Sequence, residues 1–422
     1  MSSGPTGISP SSTEHASGAS ISGSLENQHH FGLLDDWRGI AIILVFLRHC
    51  ENAFPQPLQE AFGQVPKFLM SALTGKVSAQ DLFTFLFFYP MHLGWVALPI
   101  FFVVSGFCIH LSYAQSSRPD LKKFFVRRFF RIYPPYLLAV LFFAVIFPVS
   151  RLPFNKLTYW GDLATHLFIC HNISEISVCA IVPSYWTIAV EVQLYLLFPL
   201  VILYVRRFSF ARVLVVLGVI ELSLHAFGLF AFGLRGGQFL PVWLRAAPYF
   251  YWFSWAIGTA IADAYLTGKP MPFTRIHPVV WLIAGIVAES FPLESFSFPL
   301  FALGIASMIS RGIRASREGQ KRGPYLGRFV RMIGIYSYSI YLIHDPILRG
   351  VVGLYEQHFP GIDNHPFAVF AAGLSSALIV FPAGILMYYL VERPSISWGK
   401  KLLLAWSRRL ANQAGAEVVP AA

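Results

Sequence analysis

Charge is what this sequence has least of. Asp, Glu, Lys and Arg make up 13% of its 422 residues, while 55% are hydrophobic and forty are Phe. A soluble domain averages nearer a quarter charged, so this composition predicts a polytopic membrane protein. Cysteine is also scarce. Four residues are too few for a disulfide framework and lack metal-ligand spacing. Cys50 and Cys108 fall in or beside apolar runs and read as small packing residues. Cys170 and Cys179 share one polar loop, where a local disulfide would form if the loop faced an oxidising compartment. The His residues form no zinc pattern. There is no internal repeat, and no second soluble domain follows the last apolar run. The first thirty residues are rich in Ser, Gly and Thr and lack the apolar stretch of a cleavable signal peptide. Residues 1–31 are expected to form a disordered tail, 32–398 a membrane domain, and 399–422 a basic cytoplasmic tail.

Basic residues are missing from alternate connections, and that absence orients the chain. Apolar windows able to span a bilayer occur near 37–54, 91–113, 131–150, 185–205, 211–231, 247–267, 277–292, 296–311, 332–353 and 367–390. The connections after the second, fourth, eighth and tenth windows collect Lys and Arg, for example Arg118, Lys122, Lys123, Arg127 and Arg128 after the second. The intervening connections are nearly bare. By the positive-inside rule both termini are cytoplasmic, and the fold is an all-α bundle of about ten spans. The windows 277–292 and 296–311 are short and could form one hairpin that barely crosses. The net charge of +11 is then explained by cytoplasmic loops rather than by a nucleic-acid surface.

Within the first window lies Asp36-Trp37-Arg38-Gly39-Ile40-Ala41-Ile42-Ile43-Leu44-Val45-Phe46-Leu47-Arg48-His49. Arg38 and His49 are eleven residues apart, close to three whole helical turns, so both emerge from nearly one face about 16 Å apart. With Arg38 at one interface, His49 sits near mid-membrane. An ionisable group there marks a functional site unless it is paired for packing. Placed by depth in the same way, Ser105, Glu191 and His344 come from three other helices into one layer in the central to outer half of the bilayer. Arg128 and Arg131 share a helical face at the cytoplasmic start of the third window. Paired guanidiniums there suit phosphate groups, and equally suit anchoring to anionic lipid.

The stretch opening "LDxxRGIA" with His eleven residues after the Arg resembles the first transmembrane helix of the acyltransferase 3 family of integral membrane acyltransferases. Further matches follow in family order: Phe101-Phe102-Val103-Val104-Ser105-Gly106-Phe107, Arg128-Phe129-Phe130-Arg131-Ile132-Tyr133-Pro134, Trp186-Thr187-Ile188-Ala189-Val190-Glu191, Ser337-Tyr338-Ser339-Ile340-Tyr341-Leu342-Ile343-His344 and Glu392-Arg393-Pro394. The resemblance covers about residues 33 to 398 and implies a stand-alone membrane domain without the hydrolase-like domain fused to some members. Two departures bear on substrate detail. Leu98-Pro99-Ile100 stands where acidic residues often precede the Phe pair, and Asp36 replaces a common Gly.

The resemblance implies an O-acyltransferase in a bacterial inner membrane. Acyl-CoA, most simply acetyl-CoA, would be the donor, and a hydroxyl of a glycan, lipid-linked sugar or related molecule the acceptor. His49 is then the general base, and Glu191 is the second catalytic group, which orients His49 or binds the acceptor's hydroxyls. Imidazole suits this task because its proton affinity lies near working pH. Arg128, Arg131, Arg38 and Tyr133 are assigned to the donor, and Ser105, His344 and Tyr341 to the acceptor. No metal is implied. The competing readings are structural: Glu191 as an ion-pair partner of Arg48, whose own role is open, and Ser105-Gly106 and His344 as packing elements. No nucleophile elbow surrounds Ser105, which argues against a serine acyl-enzyme. A secondary transporter or flippase using the same polar layer is the alternative function, although such proteins often show repeat symmetry and paired broken helices.

Overall fold

The computed structural model describes residues 16–114, 120–146, 157–232, 240–291, 293–320 and 327–416. Its principal helices are α1 (Ala16–Cys50), α2 (Ala97–Ala114), α3 (Leu121–Leu141), α4 (Trp186–Arg207), α5 (Phe210–Phe232), α6 (Trp252–Leu266), α7 (Pro278–Ser290), α8 (Ser297–Arg317), α9 (Arg328–Ile335), α10 (Ser337–His358), α11 (Pro366–Ser375), α12 (Ala377–Met387) and α13 (Arg393–Ala416). No strand occurs among the described residues. The protein is an all-α membrane bundle. Five helical stretches are long and apolar enough to cross a bilayer: 79–114, 121–146, 183–207, 210–232 and 366–409. All ten apolar windows hold helix, but others are shorter or more charged; α6 has 15 residues and α1 carries Asp35, Asp36, Arg38 and Arg48. Of the expected N-terminal tail, residues 1–15 lie outside the described set, and α1 begins at Ala16. At the other end α13 carries most of the expected basic tail as helix, and residues 417–422 are again outside it.

Backbone contact at glycines holds the bundle centre together. A methyl on Gly106 of α2 would stand 2.1 Å from the Trp255 carbonyl oxygen of α6, and one on Gly258 would stand 2.0 Å from the Val103 oxygen. The two helices therefore touch main chain to main chain at reciprocal positions, the arrangement small residues permit in membranes. The packing role read for Ser105-Gly106 holds for the glycine. Similarly, α1 meets α9 through Gly39 and Gly334, whose added methyls would stand 2.0 Å and 1.8 Å from the Val330 and Asp35 oxygens. Across that seam Arg331 clasps the buried carboxylate of Asp36 with two bonds of 2.8 and 2.9 Å. This fork gives the unusual Asp36 a structural task. The pair α7 and α8 does form a hairpin, with the Gly285 backbone against the Phe301 ring.

Between the crossing stretches 121–146 and 183–207 lies the helix Leu157–Leu167, followed by a loop. There the rings of His166 and His171 stack at 3.9 Å, both fully buried. Burial holds His166 down to about 4. The unfolded chain, with His near 6.5, binds the proton first on acidification. The stability this neutral imidazole protects is therefore complete above pH 6.5 and lost as pH falls toward 4, on the order of 3 kcal/mol. Melting temperatures of the detergent-solubilised protein should fall across that window, and His166→Phe should flatten the fall. An unchanged slope in the variant would rule out His166 as its source. All four cysteines are free thiols, Cys170 and Cys179 included.

Candidate active site

Five helices meet at a cavity of about 90 Å³. Helix α1 contributes Arg38, α2 Ser105 and Cys108, α3 Arg128 and Arg131, α4 Thr187, Glu191 and Tyr195, and α10 closes the space with Tyr338 and Tyr341. Six of the residues singled out from sequence thus line one space: Arg38, Ser105, Arg128, Arg131, Glu191 and Tyr341. Helical periodicity explains the convergence. Arg128 and Arg131 are one turn apart on α3, and Thr187, Glu191 and Tyr195 follow at four-residue steps on one face of α4.

The polar groups are cross-linked. The Tyr195 hydroxyl donates to the Glu191 carboxylate and lies 3.2 Å from Ser105 Oγ, which also receives Trp255 Nε1 at 3.4 Å. Arg38 bonds Asp35 on its own helix and the Cys108 sulfur across the gap, each at 3.3 Å. Arg128 donates to the Cys108 carbonyl at 3.3 Å and lies over the rings of Tyr195 and Phe124. Arg131 feels the buried carboxylate of Glu392, itself bonded to Ser339 at 2.7 Å. Three guanidiniums and one carboxylate thus line the cavity, while Asp35 and Glu392 offset Arg38 and Arg131 from outside it, so the space offers guanidinium donors rather than a large net charge. Guanidinium donors of this kind suit the oxygens of an anionic ligand.

His49 is not among the lining residues. Its Nδ1 lies 2.8 Å from the Val45 carbonyl oxygen, which only accepts, so Nδ1 carries the proton and Nε2 keeps a free lone pair. The same holds for His344, whose Nδ1 is 2.7 Å from the Tyr341 carbonyl and whose buried Nε2 has no partner. The two rings meet edge to face at 4.8 Å, and His344 lies 5.1 Å from Tyr341. His49 therefore stands two rings behind the cavity wall. The geometry does not bring Glu191 to His49. The carboxylate acting on His49 is Asp345, which is fully buried and bonded to Arg349 at 2.6 Å, whereas Glu191 is engaged by Tyr195. Nor does Glu191 pair with Arg48, which binds Glu51 at 3.1 Å. Tyr133 is also elsewhere: its hydroxyl donates to the Leu167 carbonyl and its ring stacks on Phe129.

Sequence reasoning overlooked Tyr195, Asp345 as a partner for His49, and the polar position of Cys108. The signal for Tyr195 was present, one turn after Glu191 on the same face. Among the described residues no group of three or more His, Cys, Asp or Glu is placed to hold a metal.

Comparison with known proteins agrees with this arrangement. The family profile described as an acyltransferase domain, Acyl_transf_3, matches residues 33–405. Nodulation protein 10 of Rhizobium leguminosarum bv. viciae is 27% identical over 70% of this chain and 83% of its own. The acyltransferase MdmB of Streptomyces mycarofaciens is 24% identical over 72% and 81%. An O-acetyltransferase OatA from Staphylococcus aureus is 30% identical over 63% of this chain but 47% of its own, so the chain spans about half of that relative. No solved structure matches significantly. The match along nearly the whole helical bundle, together with the cavity its motifs build, places this chain in the acyltransferase 3 family, as a multi-pass membrane O-acyltransferase.

Proposed function

We propose that the protein moves an acyl group, acetyl by resemblance, from acyl-CoA to a hydroxyl of a glycan, lipid-linked sugar or related acceptor. The setting is a bacterial inner membrane, with about ten spans and both termini cytoplasmic, as the distribution of Lys and Arg implies. The observation that carries the donor is the gathering of Arg38, Arg128 and Arg131 on one wall. Guanidiniums on rigid helices are suited to the phosphates of a coenzyme A thioester. A relative named as a peptidoglycan O-acetyltransferase, from Listeria monocytogenes, supports a glycan hydroxyl as acceptor.

In the reaction the acceptor oxygen attacks the thioester carbonyl carbon, and its proton passes to Nε2 of His49. The carbon–sulfur bond then breaks. The departing thiolate takes the proton from the imidazolium, which leaves the ester and free coenzyme A. Ser105 and Tyr341 border the space where hydroxyl and carbonyl meet, and His344 buttresses His49. Because His49 lies behind Tyr341 and His344, the reading requires that wall to open when the thioester enters. Asp345, rather than Glu191, steadies the imidazolium. Glu191 is left to hold Arg38 and Tyr195 and to receive the acceptor's hydroxyl.

The direct test supplies membranes containing the protein with labelled acetyl-CoA and follows both label transfer and coenzyme A release. Transport of a sugar without acetyl-CoA consumption would replace this reading with the transporter alternative. Within it, Arg128→Ala or Arg131→Ala should raise the KM for acetyl-CoA about ten- to a hundredfold, equivalent to one charge-assisted contact, with a smaller effect on kcat. An unchanged KM in both variants would remove the arginines from donor binding.

A further inference from the structure

Beyond the end of α1 lies a second and larger cavity, of about 410 Å³, within the size range of small-molecule sites. Its wall combines ring faces with charges that offset one another. Trp95 and Trp186 supply the rings, and Arg48, Glu51, Arg245 and Glu289 the charges. Arg48 Nη1 and His92 Nδ1 both bind Oε2 of Glu51 at 3.1 Å. The other carboxylate oxygen, Oε1, is buried and has no partner, on a side chain only 2% exposed. Glu51 lines the cavity, and a small turn of its carboxylate would let a hydroxyl bound there satisfy this unpartnered oxygen. Two cations against two carboxylates give no preference for a charged ligand. Ring faces for C–H surfaces and a carboxylate for O–H groups fit a neutral polyhydroxylated ring.

Among the described residues Leu98, 8% exposed at the start of α2, is the one that lines both cavities. Trp186 faces the larger space and its neighbour Thr187 the smaller. We propose that the larger cavity binds the acceptor as a neutral sugar ring, with Glu51 receiving one of its hydroxyls, and that Leu98 is the partition this acceptor must pass to reach the acyl donor. The second half of the proposal rests on the donor reading given above; the first does not.

Cys179 lines the same cavity and is exposed, so the chain carries its own reporter. The full-length protein in lipid nanodiscs would be labelled with a charged maleimide, and modification of Cys179 followed by peptide mass spectrometry. N-acetylglucosamine and its linear tri- and tetrasaccharides, at millimolar concentration, are the probes. At least one should slow labelling of the wild type about fivefold or more, and Glu51→Gln and Trp186→Ala should each abolish that protection. No protection by any of the three, or equal protection in both variants, overturns the acceptor site. Leu98→Trp should keep protection, which shows that it folds, yet lose at least about tenfold in acetyl transfer to the protecting saccharide. Normal transfer by Leu98→Trp overturns the partition. Acetyl-CoA turnover in the same nanodiscs separates the two levels. Turnover without saccharide protection rejects this site and leaves the acyltransferase reading, whereas protection with no acetyl-CoA turnover rejects the donor and keeps the site.

Discussion

His49→Ala should lower acyl transfer about 10²- to 10⁴-fold, the span removed with a general base, while acetyl-CoA still binds. The expectation rests on the tautomer. The Val45 carbonyl fixes the proton on Nδ1, so Nε2 is a standing acceptor on a half-buried ring. Asp345 acts electrostatically on the ring in the sense that favours an imidazolium, and that buried carboxylate has one oxygen without a partner. His344→Ala separates catalysis from packing. It removes the ring that meets His49 at 4.8 Å but leaves the lone pair in place, so it should cost less than His49→Ala. The measurement is single-turnover transfer from labelled acetyl-CoA in nanodiscs, with maleimide labelling of Cys179 as a check that the variants are folded. If His49→Ala transfers at the wild-type rate, the base lies elsewhere. Glu191, which does line the cavity, would be the next group to test.

That contrast between His49 and Glu191 shows what the sequence could convey. Depth along a helix follows from residue number and rise, and it set Arg38, Arg128 and Arg131 at the cytoplasmic edge but Ser105 and Glu191 in the central to outer half; all five line one space, so the two levels lie closer together than residue counting implied. Azimuth between different helices has no such rule. His49 and Glu191 were expected to face each other because their levels are close, yet α10 intervenes and supplies Asp345 instead. Tyr133 is a different case: two residues past Arg131 on the same helix it turns to the opposite side, and its hydroxyl reaches Leu167 rather than the cavity. Cys108 looked like a packing residue because its neighbours are apolar, and only the crossing of α1 over α2 brings the Arg38 guanidinium to its sulfur. Span counting met a physical limit too. Apolar windows found every principal crossing segment, but whether 15 residues such as α6 cross a bilayer depends on what surrounds them.

The glycine seam between α2 and α6 should be as sensitive as the chemistry. In Gly258→Ala the new methyl would stand 2.0 Å from the Val103 oxygen and 2.7 Å from the Phe107 nitrogen, both main-chain atoms. No rotamer change relieves contact with backbone, so α2 and α6 must separate along a face where Trp255, Ile257, Val103 and Phe107 are all essentially buried. The expected cost is about 3 kcal/mol or more, the upper range for single substitutions. Damage should extend to the site, since Trp255 Nε1 reaches Ser105 Oγ across this same contact at 3.4 Å. Gly350→Ala in α10 is the matched control. A methyl there meets nothing within 4 Å, and alanine favours helix over glycine by up to about 1 kcal/mol. Melting of both variants in detergent, with wild type alongside, should show a large fall for position 258 and none for 350. A Gly258→Ala protein that melts with the wild type would mean that the two helices do not meet backbone to backbone, and the cavity built on their contact would have to be redrawn.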